Sequence, residues 1–87
     1  MEKDKIVSSF KKNSLEEVVL KFVEYRNEQF FDVRVWVKPE NSKDPIPTKK
    51  GITINVGLIP LLKEGIIEAE KKVEIHFEDS NTRYEIV

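Results

Sequence analysis

The 87-residue chain contains no cysteine, one histidine, one tryptophan, one methionine and three glycines, and it has no long apolar run. The absence of cysteine excludes a disulfide framework, a thiolate metal site and a cysteine nucleophile. His76 stands alone, without clustered ligating partners, and reads as an exposed strand residue rather than a ligand or base. No segment approaches a membrane span, and the N-terminal MEKDKIV lacks the basic and apolar segments of a signal peptide. A cytoplasmic protein without a membrane partner is therefore expected. The carboxylates are scattered as strand and helix surface residues, with no positioned nucleophile, base or metal cluster, so neither an enzyme nor a bound cofactor is expected.

Charge is abundant but nearly balanced, with 15 basic against 16 acidic residues, and this total gives no support to a non-specific DNA binder. The distribution says more. Residues 1–50 carry eleven bases and nine acids, whereas 51–87 carry four bases and seven acids, so the two parts face different surroundings. The length predicts a single domain over 1–87, with a core at about 6–72 and an extension at 73–87. A domain this small has a marginal core, which makes oligomerisation an expectation.

Along the chain, Ile6–Phe10 reads as a short strand broken by Lys11-Lys12-Asn13. Ser14 to Tyr25 supports two readings. Ser14 and Glu17 have capping-box spacing and Leu15, Val18, Val19, Phe22 and Val23 recur at helical intervals. The same stretch is rich in β-branched and aromatic residues, alternates in character, and is followed by Arg26-Asn27-Glu28, where Asn27 tolerates the left-handed backbone of a hairpin turn.

The most informative stretch is Phe30 to Ile54. Strict alternation places Phe31, Val33, Val35 and Val37 on one strand face, expected to be buried, and Phe30, Asp32, Arg34 and Trp36 on the other. An arginine between large aromatics can stack bases and meet phosphates. The alternative is packing under a loop or at a subunit interface, with Arg34 paired to Asp32 or Glu24. A Pro-containing loop from Lys38 to Thr48 follows, carrying Lys38 and Lys43 and leading into Lys49-Lys50-Gly51, where ammonium groups and backbone amides approach a phosphate together.

Ile52-Thr53-Ile54 resumes a strand, and Asn55 is a candidate cap for a helix starting around Leu58 or Ile59, with Pro60 in its first turn. Leu58, Leu62, Ile66, Ala69 and Val73 form an apolar stripe that Ile59, Leu61 and Ile67 widen beyond what one sheet covers, so part of it is expected at a subunit interface. After Lys72, the alternation of Val73, Ile75 and Phe77, the break at Asp79-Ser80-Asn81 and the resumption at Tyr84 and Ile86 predict an appended C-terminal hairpin or a fraying helix extension.

DVRVW at 32–36, PTKKGITI at 47–54 and LLKEGI at 61–66, in that order, resemble the Positive Cofactor four family of transcriptional coactivators and single-stranded DNA-binding proteins. The likeness is to its compact bacterial or viral members. It favours strand for Ser14–Tyr25 and implies an α+β fold, a curved four-stranded antiparallel sheet followed by one helix. It also implies a homodimer through Leu58, Leu62, Ile66 and Ala69. By position, it implies nucleic-acid binding by Lys12, Tyr25, Arg26, Arg34, Lys49 and Lys50, with Trp36 and Lys38 added from the strand and loop. The expected partner is single-stranded DNA, with RNA as an alternative, in transcription, replication or repair and in a nucleoid-associated setting. A protein-interaction module on the same fold is the competing reading. The sequence departs from the family pattern at Val35 and Val37, where an acid and a second aromatic are usual.

Overall fold

Four β-strands and one helix make up residues 4–80, the part of the chain that this computed structural model describes, with side chains described as far as Val73. The strands are β1 (Lys5–Lys11), β2 (Glu16–Tyr25), β3 (Glu28–Val37) and β4 (Ile46–Asn55), paired antiparallel in the order β1-β2-β3-β4. The chain forms two compact units, the sheet up to Val56 and the helical part from Gly57 onward.

Ser14–Tyr25 resolves as strand. In place of a helix cap by Ser14 and Glu17 there is a turn, in which Asn13 Oδ1 accepts hydrogen bonds from the Leu15 and Glu16 amides at 2.9 and 2.8 Å. Asn and Asp side chains readily make such local turns. Beyond the turn, β2 and β3 pair continuously from Glu16↔Val37 to Tyr25↔Glu28, a ladder that helical propensity cannot match. The strands join through Arg26 and Asn27, whose φ values of 53° and 66° define a two-residue type I′ turn. Asn27 suits it. Arg26 adopts the left-handed region at a cost of about 1 kcal/mol, because the twist of the flanking strands demands it at both positions.

The pairing slips at two places. β1 carries a bulge between Ile6 and Ser8. In β4, Arg34 faces Gly51 but Trp36 faces Pro47, so Thr48, Lys49 and Lys50 lie opposite Val35 alone. Such bulges bend a strand and redirect its side chains. The loop is accordingly shorter than the Lys38–Thr48 expectation: it ends at Pro45, and Pro47 sits within the edge strand, where its missing donor is tolerated. Gly51 allows β3 and β4 to approach, because a Cβ there would lie 2.5 Å from the Val33 carbonyl oxygen and 2.8 Å from Arg34 Cα.

The burial differs from the expectation for β3. Phe31 is buried, but Val33, Val35 and Val37 are only half-buried. The deepest residues of the opposite face, Val19 and Asp32, are 6 % and 5 % exposed. A single sheet has no second sheet to dehydrate one face selectively, so the side chains of the central strands shield one another on both faces.

A 3-10 turn at Val56–Leu58 leads into α1 (Ile59–Ser80). Asn55 stands immediately before this helical run and Pro60 lies in the first turn of α1, as the cap and proline signals require. The appended hairpin expected from Val73 onward is not present through Ser80, which α1 includes. Extending an existing helix costs far less than nucleating a new element, and Glu74 and Glu78 are good helix formers, so local alternation did not prevail. The second half of the predicted hairpin, around Tyr84 and Ile86, lies outside the described residues.

Candidate nucleic-acid interface

The period of two along β3 sets Asp32 and Arg34 on one face, and the β3–β4 register places Thr53 opposite Asp32 and Gly51 opposite Arg34. These positions assemble a closed hydrogen-bond network. Arg34 donates from Nε to Asp32 Oδ2 at 3.1 Å and from Nη2 to Asp32 Oδ1 at 3.0 Å. It also donates from Nη1 to the Thr48 carbonyl at 3.0 Å and from Nη2 to Thr53 Oγ1 at 3.3 Å. Thr53 in turn donates to Asp32 Oδ1 at 2.6 Å. Burial pushes the Asp32 carboxyl up, but the hydrogen bonds from Arg34 and Thr53 and the charge of Arg34 outweigh it and hold the group below its ordinary value. The hydrogen bond to Asp32 raises Arg34 reciprocally. Of the two pairings considered for Arg34, Asp32 is therefore its ion-pair partner.

The network borders an open depression of about 530 Å³ lined by Asp4, Lys21, Val23, Asp32, Arg34, Pro47, Thr48, Lys49 and Thr53. Lys49 reaches it from the bulge. Thr48 anchors that bulge by donating to the Val35 carbonyl at 2.8 Å and accepting from the Lys50 amide at 3.2 Å. Lys21 lies across from Asp32 in the β2–β3 register, pairs with the Asp4 carboxylate at 3.2 Å, and holds its ammonium 5.2 Å from the Trp36 ring centre. Trp36 is half-buried, and its Nε1 is buried with no hydrogen-bond partner.

A second depression of about 250 Å³ joins Trp36 and Lys38 with Lys11, Ser14, Leu15, Glu16, Glu17, Val37 and Pro45. Lys12 and Lys50 converge on Glu16 at 3.5 and 3.9 Å. The hydrogen bond from Asn13 lowers the Glu16 carboxyl most, burial acts in the opposite sense, and the two lysines add to the lowering. At the hairpin, Tyr25 is 61 % exposed and the Arg26 guanidinium lies 5.1 Å from its ring centre.

The nucleic-acid candidates thus form three groups. Arg34 and Lys49 share the main depression, Trp36 and Lys38 the smaller one with Lys12 and Lys50 beside it at Glu16, and Tyr25 and Arg26 occupy the hairpin end. Lys49 and Lys50, adjacent in sequence, go to different places. On the helical unit Leu58, Ile66 and Ala69 are exposed and Leu62 is half-buried. Sequence reading missed Lys21, Asp4, Thr48 and Thr53. The turn at Arg26–Asn27 was the signal for Lys21, since a two-residue loop fixes every β2–β3 pair, including Lys21 with Asp32. Among the described residues, no group of three or more His, Asp or Glu side chains is placed to hold a metal ion.

The family model of the transcriptional coactivator p15 (PC4) matches residues 12–65, which include all eight nucleic-acid candidates. The chain belongs to the PC4 family. PC4 relatives are also found among solved structures. A PC4 homologue from Burkholderia pseudomallei, in its tetragonal crystal form, has 25 % identity and a TM-score of 0.70, covering 77 % of this chain and 97 % of that one. Its orthorhombic form has 24 % identity and a TM-score of 0.73, covering 83 % and 96 %. The bacteriophage T5 homologue of the eukaryotic transcription coactivator PC4, implicated in recombination-dependent DNA replication, shares the fold at 18 % identity and a TM-score of 0.59, covering 94 % and 100 %. No curated protein matches the chain. The PC4 fold expected from the sequence, a four-stranded antiparallel sheet followed by one helix, is the fold observed.

Proposed function

We propose that this PC4-family chain is a largely sequence-independent single-stranded DNA-binding protein that acts in transcription or in DNA replication and repair. The observation that carries this reading is the depression on the sheet, which Lys49 and Lys21 line beside the Arg34 network, on the face of the sheet that also carries Tyr25 and Trp36. Cations in a groove track a phosphate backbone, and aromatic rings stack on any base, which gives affinity without sequence readout. The bacteriophage T5 relative, implicated in DNA replication, supports the same context. We also assign a homodimer through α1. Ile66 in α1 and Leu58 in the 3-10 turn before it are 58 % and 47 % exposed, part of an apolar stripe that a second copy would remove from water. The reading is of a binding protein, without catalytic chemistry.

A protein-interaction module is the second reading. It draws on the pairing of several candidate cations with acids, Arg34 with Asp32 and both Lys12 and Lys50 with Glu16, in a chain of net charge −1. The same surface accommodates single-stranded RNA, since neither stacking nor phosphate contacts exclude ribose.

Fluorescence anisotropy of labelled single-stranded and duplex oligonucleotides, titrated over salt, tests the proposal. Preference for the single strand is expected, with a salt slope that falls by about 0.7 in Lys49→Ala and by less in Lys50→Ala. Absence of binding at low salt would move the function to a protein partner.

A further inference from the structure

We propose that Arg34 is a positioning residue of this interface, held by Asp32 and Thr53 so that it locks the bulge presenting Lys49, and is not itself a phosphate ligand. The inference rests on the nucleic-acid reading above and assigns a role within that site.

The donor inventory of Arg34 carries it. A guanidinium has five N–H groups and recognises a phosphate best through two parallel donors on one edge. The edge formed by Nε and Nη2 is spent on the two Asp32 oxygens. The edge formed by Nη1 and Nη2 faces the Thr48 carbonyl and Thr53 Oγ1. No edge is left for a bidentate anion. The charge is committed as well, because the Asp32 carboxylate, 7 % exposed, lies 3.0 Å from the guanidinium.

What the side chain does hold is the β4 bulge. Thr48 is fixed three ways: its carbonyl accepts from Arg34, its hydroxyl donates to Val35, and the same hydroxyl accepts from the Lys50 amide. Lys49 lies between these anchored neighbours and lines the depression. Unlike an ordinary strand residue, a bulge residue lacks a ladder partner to fix its direction, so the clamp on Thr48 determines where the ammonium points.

Double-mutant cycles separate positioning from contact. Arg34→Gln and Lys49→Ala are each expected to weaken single-stranded DNA binding, and the double variant is expected to match Lys49→Ala within about twofold. Losses that multiply instead would assign Arg34 an independent contact, or a general structural effect, and overturn the proposal. Because Arg34→Gln leaves Asp32 without its cation, Thr53→Val provides a second, charge-neutral variant. It is expected to weaken binding roughly twofold to tenfold in the wild-type background and to have no effect on top of Lys49→Ala. Unchanged or tighter binding by Thr53→Val, as a released ligand arginine would give, also overturns the proposal. Amide hydrogen exchange of the free protein reads the clamp without any ligand. Faster exchange at Lys49 and Lys50 in Thr53→Val is expected, and unchanged exchange refutes the clamp. If the wild type binds no oligonucleotide the nucleic-acid reading fails, and with it the role of Lys49, while the exchange result still decides whether Arg34 holds the bulge.

Discussion

The Lys21 ammonium lies 5.2 Å from the centre of the Trp36 ring, so the indole already has a cation over one face. Such an arrangement contributes about 0.5–1 kcal/mol at exposed sites. A base stacking on that face must first displace Lys21, whereas Tyr25 at the hairpin is mostly exposed. The two aromatic residues of the candidate interface therefore differ in accessibility.

Tyr25→Ala is expected to weaken single-stranded DNA binding by about 1–3 kcal/mol with little change in thermal stability. Trp36→Ala is expected to lower stability by roughly 1–3 kcal/mol, because the half-buried ring lies opposite Glu17 and Pro47 in the sheet. Thermal melts beside anisotropy titrations distinguish the two. Wild-type affinity in Tyr25→Ala would remove that ring from the site.

Asp4 pairs with Lys21 at the rim of the depression and competes there with any phosphate. Asp4→Asn should tighten single-stranded DNA binding by about 0.2–1 kcal/mol at low salt, the range for an exposed ion pair, and the gain should shrink as salt screens it. An affinity that falls in Asp4→Asn would show that the carboxylate does not compete with the ligand.

Two glycines make opposite demands. At Gly51 an added Cβ would collide with the Val33 backbone, so Gly51→Ala is expected to destabilise the sheet by roughly 1–3 kcal/mol and to disturb the Arg34 register. At Gly65, inside α1, a Cβ would meet nothing within 4 Å, and alanine should stabilise the helix by about 0.5–1 kcal/mol. Chemical denaturation at two protein concentrations checks both. A concentration-dependent loss of stability in Gly65→Ala would mean that a second copy crosses the helix there.

Asp32 makes the sheet sensitive to acid. Its folded carboxyl titrates below the ordinary value of 3.8 because Arg34 and Thr53 stabilise the charged form. A carboxylate depressed in this way contributes stability that is present above its unfolded value. That contribution is lost as pH falls through 3.8 and on through the lower folded value. Denaturation midpoints measured from pH 6 downward should show this loss, and Asp32→Asn should remove it while lowering stability at neutral pH. An identical acid limb in that variant would assign the loss to other carboxylates.

Much of the fold was legible because the signals are local. Alternation in Phe30–Val37 marks β3, Arg26-Asn27 marks the turn, and Asn55 with Pro60 marks the start of the helical run. Local signals also misled where two periods coexist. Val73, Ile75 and Phe77 alternate as a strand would, yet they continue α1, since the preceding helix supplies the nucleus that an isolated segment lacks. In Ser14–Tyr25 the capping-box spacing of Ser14 and Glu17 suggested a helix start, but the side chain that binds the local amides is Asn13, and it turns the chain into β2.

The sequence carried the family motifs, the strand faces and the identity of the cationic and aromatic residues, because these depend on neighbours within a few positions. Their roles depended on pairing across the sheet. Arg34 meets the Thr48 carbonyl 14 residues away, Lys21 meets Asp4 at 17, and Asp32 meets Thr53 at 21. The bulge at Thr48–Lys50 sends Lys49 to the depression while Lys50 approaches Glu16. A slip of one residue exchanges the faces of a strand, so only the assembled register shows which lysine meets the site and which arginine is already engaged.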